Sequence, residues 1–301
     1  MAKAHPARRL RALVKRRTFI YMPSLIDGLG ARLAKQLGFK AIYTGGYATG
    51  GSTTITEPLL TMSEQVDQAR RIARVTDLPM VCDAGAGFGE PMHTMRTVDE
   101  FHNAGIAGIH IEDQLYPKRA HYHKYVAHAV PQNEFVDKIR WACRARDKID
   151  PDFVIIARSD TCRFLGLGEA IKRINAAADV GAAVGLIFPR DHKETVAAPK
   201  KSKIPLVWVQ SRGNRDGRPL YSNQQLEEMG YIGCIDAQVH IGVAFHFFQQ
   251  ALKEIRKTGD YSGMSQEDWV AARQAIEDLC GLDEYYEVEE QTVEKKSWGK
   301  R

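Results

Sequence analysis

No run of about 18 apolar residues occurs in the 301-residue chain, so no membrane-spanning helix is predicted. No C-x-x-C pair occurs either. The five cysteines, Cys82, Cys143, Cys162, Cys234 and Cys280, are odd in number and scattered. That argues against a disulfide framework or a zinc site and fits free thiols in a reducing cytoplasm. An apolar signal-peptide core is missing, which again points to the cytoplasm. No G-x-G-x-x-G follows the first apolar run, and Gly85-Ala-Gly-Phe-Gly89 has a different spacing, so a doubly wound dinucleotide-binding sheet is disfavoured. Internal repeats and low-complexity linkers are lacking, which leaves one domain over residues 1–301. Acids are absent from the first 17 residues. Lys3, Arg8, Arg9, Arg11, Lys15, Arg16 and Arg17 there outnumber the whole net charge of +5. The remaining body is near neutral or slightly acidic, and no nucleic-acid surface is expected.

What is present is a regular alternation. Short β-rich runs lie at 19–22, 41–44, 80–83, 108–112, 153–157, 185–188, 206–209 and 232–235. Helical patterns separate them at 31–37, 62–75, 94–104, 132–146, 168–180, 192–198 and 223–229, after a surface helix at 8–16. Eight strands with intervening helices spell a (β/α)8 TIM barrel, over about residues 18–255. Phe153-Val-Ile-Ile156 has the continuous apolar character of a buried parallel strand. A helical extension follows at about 256–301. Phe245, Phe247, Phe248, Ala251 and Leu252 form an apolar face for core or subunit contact, Asp268 to Leu279 reads as an amphipathic helix, and the charged stretch 285–301 reads as a mobile tail.

In such a barrel, side chains at the C-terminal ends of the strands converge on one face. Reading those ends in turn gives Ser24 and Asp27; Tyr43, Thr44, Gly45 and Gly46; Asp83; Glu112 and Asp113; Arg158, Ser159 and Asp160; Arg190; Gln210 and Ser211; and Asp236 and Gln238. Acids cluster on strands three and four, arginines on strands five and six. Hard oxygen donors suit Mg²⁺, with Mn²⁺ as the alternative ion, and guanidinium forks suit a small carboxylate substrate. The fourth strand runs straight into a basic loop, Lys118-Arg-Ala-His-Tyr-His123.

Glu112-Asp-Gln-Leu-Tyr-Pro-Lys-Arg119, Val81-Cys-Asp-Ala84 with a Gly-Phe-Gly beyond it, Ile42-Tyr-Thr-Gly-Gly46 and Ala157-Arg-Ser-Asp160 together resemble the isocitrate lyase/phosphoenolpyruvate mutase superfamily, over about residues 8–255. The resemblance implies a Mg²⁺-dependent barrel that acts on small 2-oxo or 2-hydroxy acids through a metal-bound enolate. It also implies a homotetramer whose C-terminal helices swap between subunits. It makes Asp83 the direct metal ligand and Glu112 the acid that holds metal-bound water. Tyr43, Thr44, Gly45, Gly46, Arg190 and Gln210 become substrate-binding candidates. Arg158 pairs with the substrate, and Lys118 and Arg119 sit in a gating loop that closes over it.

Four departures set this chain apart. Gly85 replaces the second acid of a D-x-D pattern at strand three. The loop cysteine that serves as acid/base in isocitrate and methylisocitrate lyases is replaced: Ala120 stands in the loop, with His121 and Tyr122 as substitute proton donors. Arg190 stands where a glutamate normally follows Phe-Pro, and the usual strand-two loop aspartate has no clear match, Glu57 being the nearest acid. The expected activity is carbon–carbon lysis or decarboxylation of a small di- or tricarboxylate. The alternatives are a phosphonopyruvate-type mutase or hydrolase, favoured by the added Arg190, and a non-catalytic carboxylate-binding paralogue, favoured by Gly85 and Ala120.

Overall fold

The computed structural model describes residues 5–119, 124 and 126–294, in two compact units, Met1–Gly242 and Val243–Arg301. The first unit is a barrel of eight parallel strands: β1 (Ile20–Pro23), β2 (Ile42–Thr44), β3 (Met80–Asp83), β4 (Gly108–Glu112), β5 (Val154–Ser159), β6 (Val184–Ile187), β7 (Leu206–Gln210) and β8 (Gly233–Asp236). Strand order runs β1-β8-β7-β6-β5-β4-β3-β2, and a parallel bridge between Ser24 and Tyr43 closes the ring. This is the expected (β/α)8 architecture, with each strand within a few residues of its sequence-based position.

Alternation along the strands separates two cores. Val81, Val154, Ile156, Leu186, Val207 and Val209 point inward and fill the barrel. Cys82, Ile109, Ile111, Ile155, Ala157 and Trp208 point outward and pack under the helices. These are α2 (Gly28–Gln36), α3 (Gly46–Thr53), α4 (Met62–Ala73), α5 (Pro91–Asn103), α6 (Gln132–Ile149), α7 (Cys162–Asp179), α8 (His192–Lys201) and α9 (Asn223–Glu228). Side-chain caps fix several starts: Asp27 on α2, a Thr61/Glu64 capping box on α4 and a Ser222/Gln225 box on α9. Gly166, at φ +82°, breaks the first turn of α7 from its body, which is why the sequence pattern begins only at Gly168.

Three elements depart from the sequence reading. The helix at the N-terminus, α1 (Ala7–Lys15), is more than a surface helix: Leu10 is buried in the inner core, with Leu13 and Val14 packed against it. Between β2 and α4 the chain forms α3 and a 3₁₀ turn, Glu57–Leu59, neither expected, because Gly46-Tyr-Ala-Thr-Gly-Gly-Ser-Thr53 is poor in helix formers. The stretch expected to be a mobile tail is helical in part, as α12 (Leu282–Gln291), set off from α11 (Gln266–Cys280) by Gly281 in the left-handed conformation. The remaining helix, α10 (Val239–Thr258), begins in the barrel unit. In the second unit Phe245, Phe247, Phe248 and Leu252 of α10 and Trp269, Val270 and Ile276 of α11 are exposed. No helix among the described residues is long and apolar enough to cross a membrane.

Candidate active site

The inward series of each strand continues past the apolar layers into a cavity of about 760 Å³ at the C-terminal mouth. On β5, Val154 and Ile156 are followed at the same parity by Arg158; on β4, His110 is followed by Glu112; on β3, Val81 by Asp83; β2 contributes Tyr43. Parallel register sets Asp83 beside His110 and Glu112 beside Arg158.

Arg158 is the hub. Its Nε and Nη2 donate to the two carboxylate oxygens of Asp160, at 3.0 and 3.1 Å. Its Nη1 lies 3.1 Å from Glu112 Oε2 and 3.5 Å from Asp83 Oδ2. Lys118, on the loop after β4, inserts its ammonium between Glu57 and Glu112, 3.1 Å from Glu112 Oε1. Asp83 Oδ1 accepts from the Gly85 amide at 2.8 Å and lies 3.5 Å from His110 Nδ1. On its other side, His110 Nε2 is 2.8 Å from the Tyr43 hydroxyl. Gln114 donates to Asp160.

Burial and charge pull these groups apart in pKa. Burial raises the Asp83 carboxyl, but the neighbouring His110, Arg158 and Lys118 outweigh it and hold the group below its ordinary range. Burial dominates at Glu112, which is pushed up to about 7 despite the same two cations. Burial likewise raises Glu57, and lowers His110 to about 4, so the imidazole is neutral at physiological pH. Lys118 would be lowered by burial, but Glu112 and Glu57 carry it above its usual value.

Asp83, Arg158, Lys118, Tyr43 and Gly45, all candidates from the sequence, are thus brought to one cavity, and Glu112, fully buried, backs it through Arg158 and Lys118. Gly46 opens α3 against Glu57; a Cβ there would stand 2.5 Å from Glu57 Cγ, so the close approach requires glycine. Thr44 and Gln210 are placed otherwise than expected. Both lie at the outward parity of their strands. Thr44 donates to the Leu25 carbonyl, and the Gln210 amide bonds Trp208 Nε1 and the Tyr221 backbone, so neither lines the cavity. Arg190 reaches the cavity rim, but its side chain is 53% exposed and its guanidinium pairs with Glu194 one helical turn on. Arg119 is exposed and does not line the cavity. His121 and Tyr122, with Ala120 and His123, lie outside the described residues.

Asp160, read from the sequence as a strand-end side chain, lines the cavity, whereas Glu57, His110, Gln114 and Arg218 were not assigned to the site. His110 was legible from parity, two residues from Glu112 on the same strand. Glu57 and Arg218 arrive on loops and carry no local signal. Asp113, next to Glu112, faces the other way: it accepts from Ser159 Oγ at 2.6 Å and the Asp160 amide at 3.0 Å, and pairs with Arg173 of α7. It braces the barrel wall.

Four buried or half-buried acids (Asp83, Glu57, Glu112 and Asp160) surround two half-buried cations, Arg158 and Lys118, leaving two negative charges in excess when all ionise. A divalent cation fits that deficit. Among the described residues, no three of these acids bring ligand atoms within 4.8 Å of one another; the one such group is His5, His102 and Asp150. The donor set therefore suits Mg²⁺, which takes one or two protein carboxylates with waters and substrate oxygens, rather than a closed protein cage. Asp83, held ionised, and Glu112 are the residues that would hold it. Gly85 sits at φ +50° with open space where a Cβ would project, so the missing second acid leaves room at this point.

Residues 10–256 match the phosphoenolpyruvate phosphomutase family model. The chain is 35% identical over 283 residues to a probable 2-methylisocitrate lyase 2 of Corynebacterium glutamicum, covering 92% of this chain and 88% of that protein. It is 33% identical over 263 residues to an oxaloacetate decarboxylase of Pseudomonas savastanoi pv. phaseolicola, covering 86% and 88%. Its fold superposes with a TM-score of 0.82 on a phosphonopyruvate hydrolase crystallised with oxalate and Mg²⁺, at 27% identity over 96% of this chain and 99% of that one. With eight strand ends, a shared mouth and these matches in agreement, the chain belongs to the phosphoenolpyruvate mutase/isocitrate lyase superfamily.

Proposed function

We propose that this protein is a Mg²⁺-dependent carbon–carbon lyase that cleaves or decarboxylates a small 2-hydroxy or 2-oxo di- or tricarboxylate. The observation that carries the reading is the Asp83–Arg158–Glu112 cluster at the mouth of the barrel, opening on a cavity large enough for such an acid. The similarity to proteins named 2-methylisocitrate lyase and oxaloacetate decarboxylase supports the reaction class. Bound by Asp83 and Glu112, Mg²⁺ supplies Lewis acidity toward the oxygens of a 2-oxo acid, lowering the cost of negative charge at the adjacent carbon.

The chain's own groups do the remaining work. Arg158, fixed in orientation by both oxygens of Asp160, presents fixed positive charge where substrate carboxylate and developing charge meet. Lys118 ties the loop after β4 to Glu57 on the β2–α4 connection, covering the inner end of the cavity and excluding water. Tyr43 keeps its proton on Oη, since burial raises its pKa, and His110 Nε2 orients that hydroxyl. Protonation of the departing carbon falls to His121 or Tyr122 in the gating loop. The assembly is a homotetramer with exchanged C-terminal helices, a reading supported by the exposed aromatic residues of α10 and α11. The described cysteines are all free thiols, consistent with a cytoplasmic enzyme.

The decisive measurement is product NMR with a panel of 2-hydroxy and 2-oxo di- and tricarboxylates. Chelator should abolish carbon–carbon turnover and Mg²⁺ or Mn²⁺ should restore it; no metal-dependent turnover of any member sinks the reading. Similarity to the phosphonopyruvate hydrolase favours one alternative, phosphonate chemistry. Phosphorus NMR with phosphonopyruvate tests it, inorganic phosphate or phosphoenolpyruvate being the diagnostic product.

A further inference from the structure

We propose that Arg218 forms a second anion subsite at the outer end of the cavity and selects substrates bearing a carboxylate remote from the reacting carbon. The inference rests on the lyase reading for the inner end and extends it to a specificity determinant.

Arg218 lies on the loop after β7 and lines the same cavity as Asp83 and Arg158. Its side chain is 8% exposed. The guanidinium lies over two aromatic rings, its Cζ 4.9 Å from the Phe188 centroid and 5.8 Å from that of Trp208. Such stacking fixes the fork but leaves its edge N–H groups unsatisfied. Nη1 is buried with no hydrogen-bond partner among the described residues. The ion pair with Asp216 is long, 3.5 Å from Nε, and does not reach Nη1. A largely buried arginine that lines a cavity with one donor idle is costly unless an anion completes it.

The geometry selects the anion. Arg158 Cζ lies 5.0 Å from the same Phe188 centroid, so the two guanidinium carbons are no more than 9.9 Å apart. A short aliphatic dicarboxylate spans that interval. The charge is polarised in the same sense: the inner end has an excess of acids, whereas Arg190, Arg215 and Arg218 line the outer end with Asp216. A cation belongs at one end and a carboxylate at the other. Arg218 recognises that carboxylate through its guanidinium charge and N–H donors.

The test compares 2-oxoglutarate with 2-oxovalerate, five-carbon 2-oxo acids that differ in a distal carboxylate against a methyl. Titration calorimetry is run with Mg²⁺ on the full-length protein, alongside thermal melts. Wild type should bind 2-oxoglutarate at least about tenfold more tightly than 2-oxovalerate. Arg218→Gln should erase that preference with 2-oxovalerate affinity unchanged. Arg218→Lys should restore part of it, and decides the matter even where the glutamine variant fails to fold. An undiminished preference in the variants overturns the inference, as does equal loss of both ligands in a folded variant, which marks a structural role. Wild type that binds both acids without preference overturns this inference alone. Wild type that binds neither overturns it together with the reading of the inner end.

Discussion

Each end of the barrel holds a histidine beside a carboxylate, and burial makes the two clusters different objects. At the C-terminal mouth, the His110 and Asp83 side chains are 1% and 6% exposed and face two further cations and three further acids. At the opposite end, His5 stacks on His102 at 4.0 Å, and both lie near Asp150, 3.6 and 3.3 Å from its Oδ2. There the side chains are 15–28% exposed. Water still screens that second cluster, which ties the segment before α1 to the ends of α5 and α6. The carboxylates and imidazole of the first cluster are more deeply buried, so their charges are screened less and pKa values spread from about 4 at His110 to about 7 at Glu112. Similar residue types serve as a strut where they are partly exposed and as a reactive site where they are buried at a cavity wall.

The strongest way to break this comparison is to remove the hub of the cluster at the mouth. Arg158→Gln leaves four acids around a single lysine. Turnover should fall by about 10²–10³-fold, in line with loss of a fixed transition-state donor. Stability in denaturant should fall by about 3–5 kcal/mol, the cost of stranding a buried partner. A change under about 1 kcal/mol would mean that the cluster is wetter than its burial implies.

The next test is pH dependence of the metal-free protein. Glu112 has a folded pKa near 7, above the ordinary 4.5, so its protonated form favours the native state. Its contribution is full below pH 4.5 and is lost as pH rises through 7, by roughly 3 kcal/mol. Asp113, raised by burial to about 6, acts in the same direction. Asp83, held below its ordinary 3.8, acts oppositely and only at lower pH. Glu112→Gln should flatten most of the decline between pH 4.5 and 7, followed by urea titrations at several pH values. A wild-type profile level across that window contradicts burial of Glu112 as the cause of its shift.

A smaller effect sharpens the metal assignment. Gly85→Asp places an acid beside Asp83 at a backbone conformation aspartate tolerates. It should tighten Mg²⁺ binding by about tenfold in calorimetry. Unchanged affinity would show that position 85 does not face the ion. The smallest effect belongs to the other end. His102→Ala should cost about 1 kcal/mol of stability, seen as a small drop in Tm, and leave turnover within about twofold. A larger loss of turnover would show that the two ends communicate.

The linear chain was enough to order eight strands and to place Asp83, Glu112 and Arg158 at their exits, because strand ends and apolar runs are local properties. Strand alternation, also local, separates inward His110 from outward Thr44, Gln210 and Asp113. What lay beyond the linear chain came through long loops. Glu57 meets Lys118 across 61 positions, and Arg218, on the long loop after β7, folds back over Phe188 at the exit of neighbouring β6. No period or spacing encodes such meetings. They follow from closure of the ring, where Ser24 bridges to Tyr43 and the strand exits are drawn into one circle. Sequence therefore determined which residues stand at the rim, and tertiary structure decided which of them are buried against one another and so acquire altered pKa values.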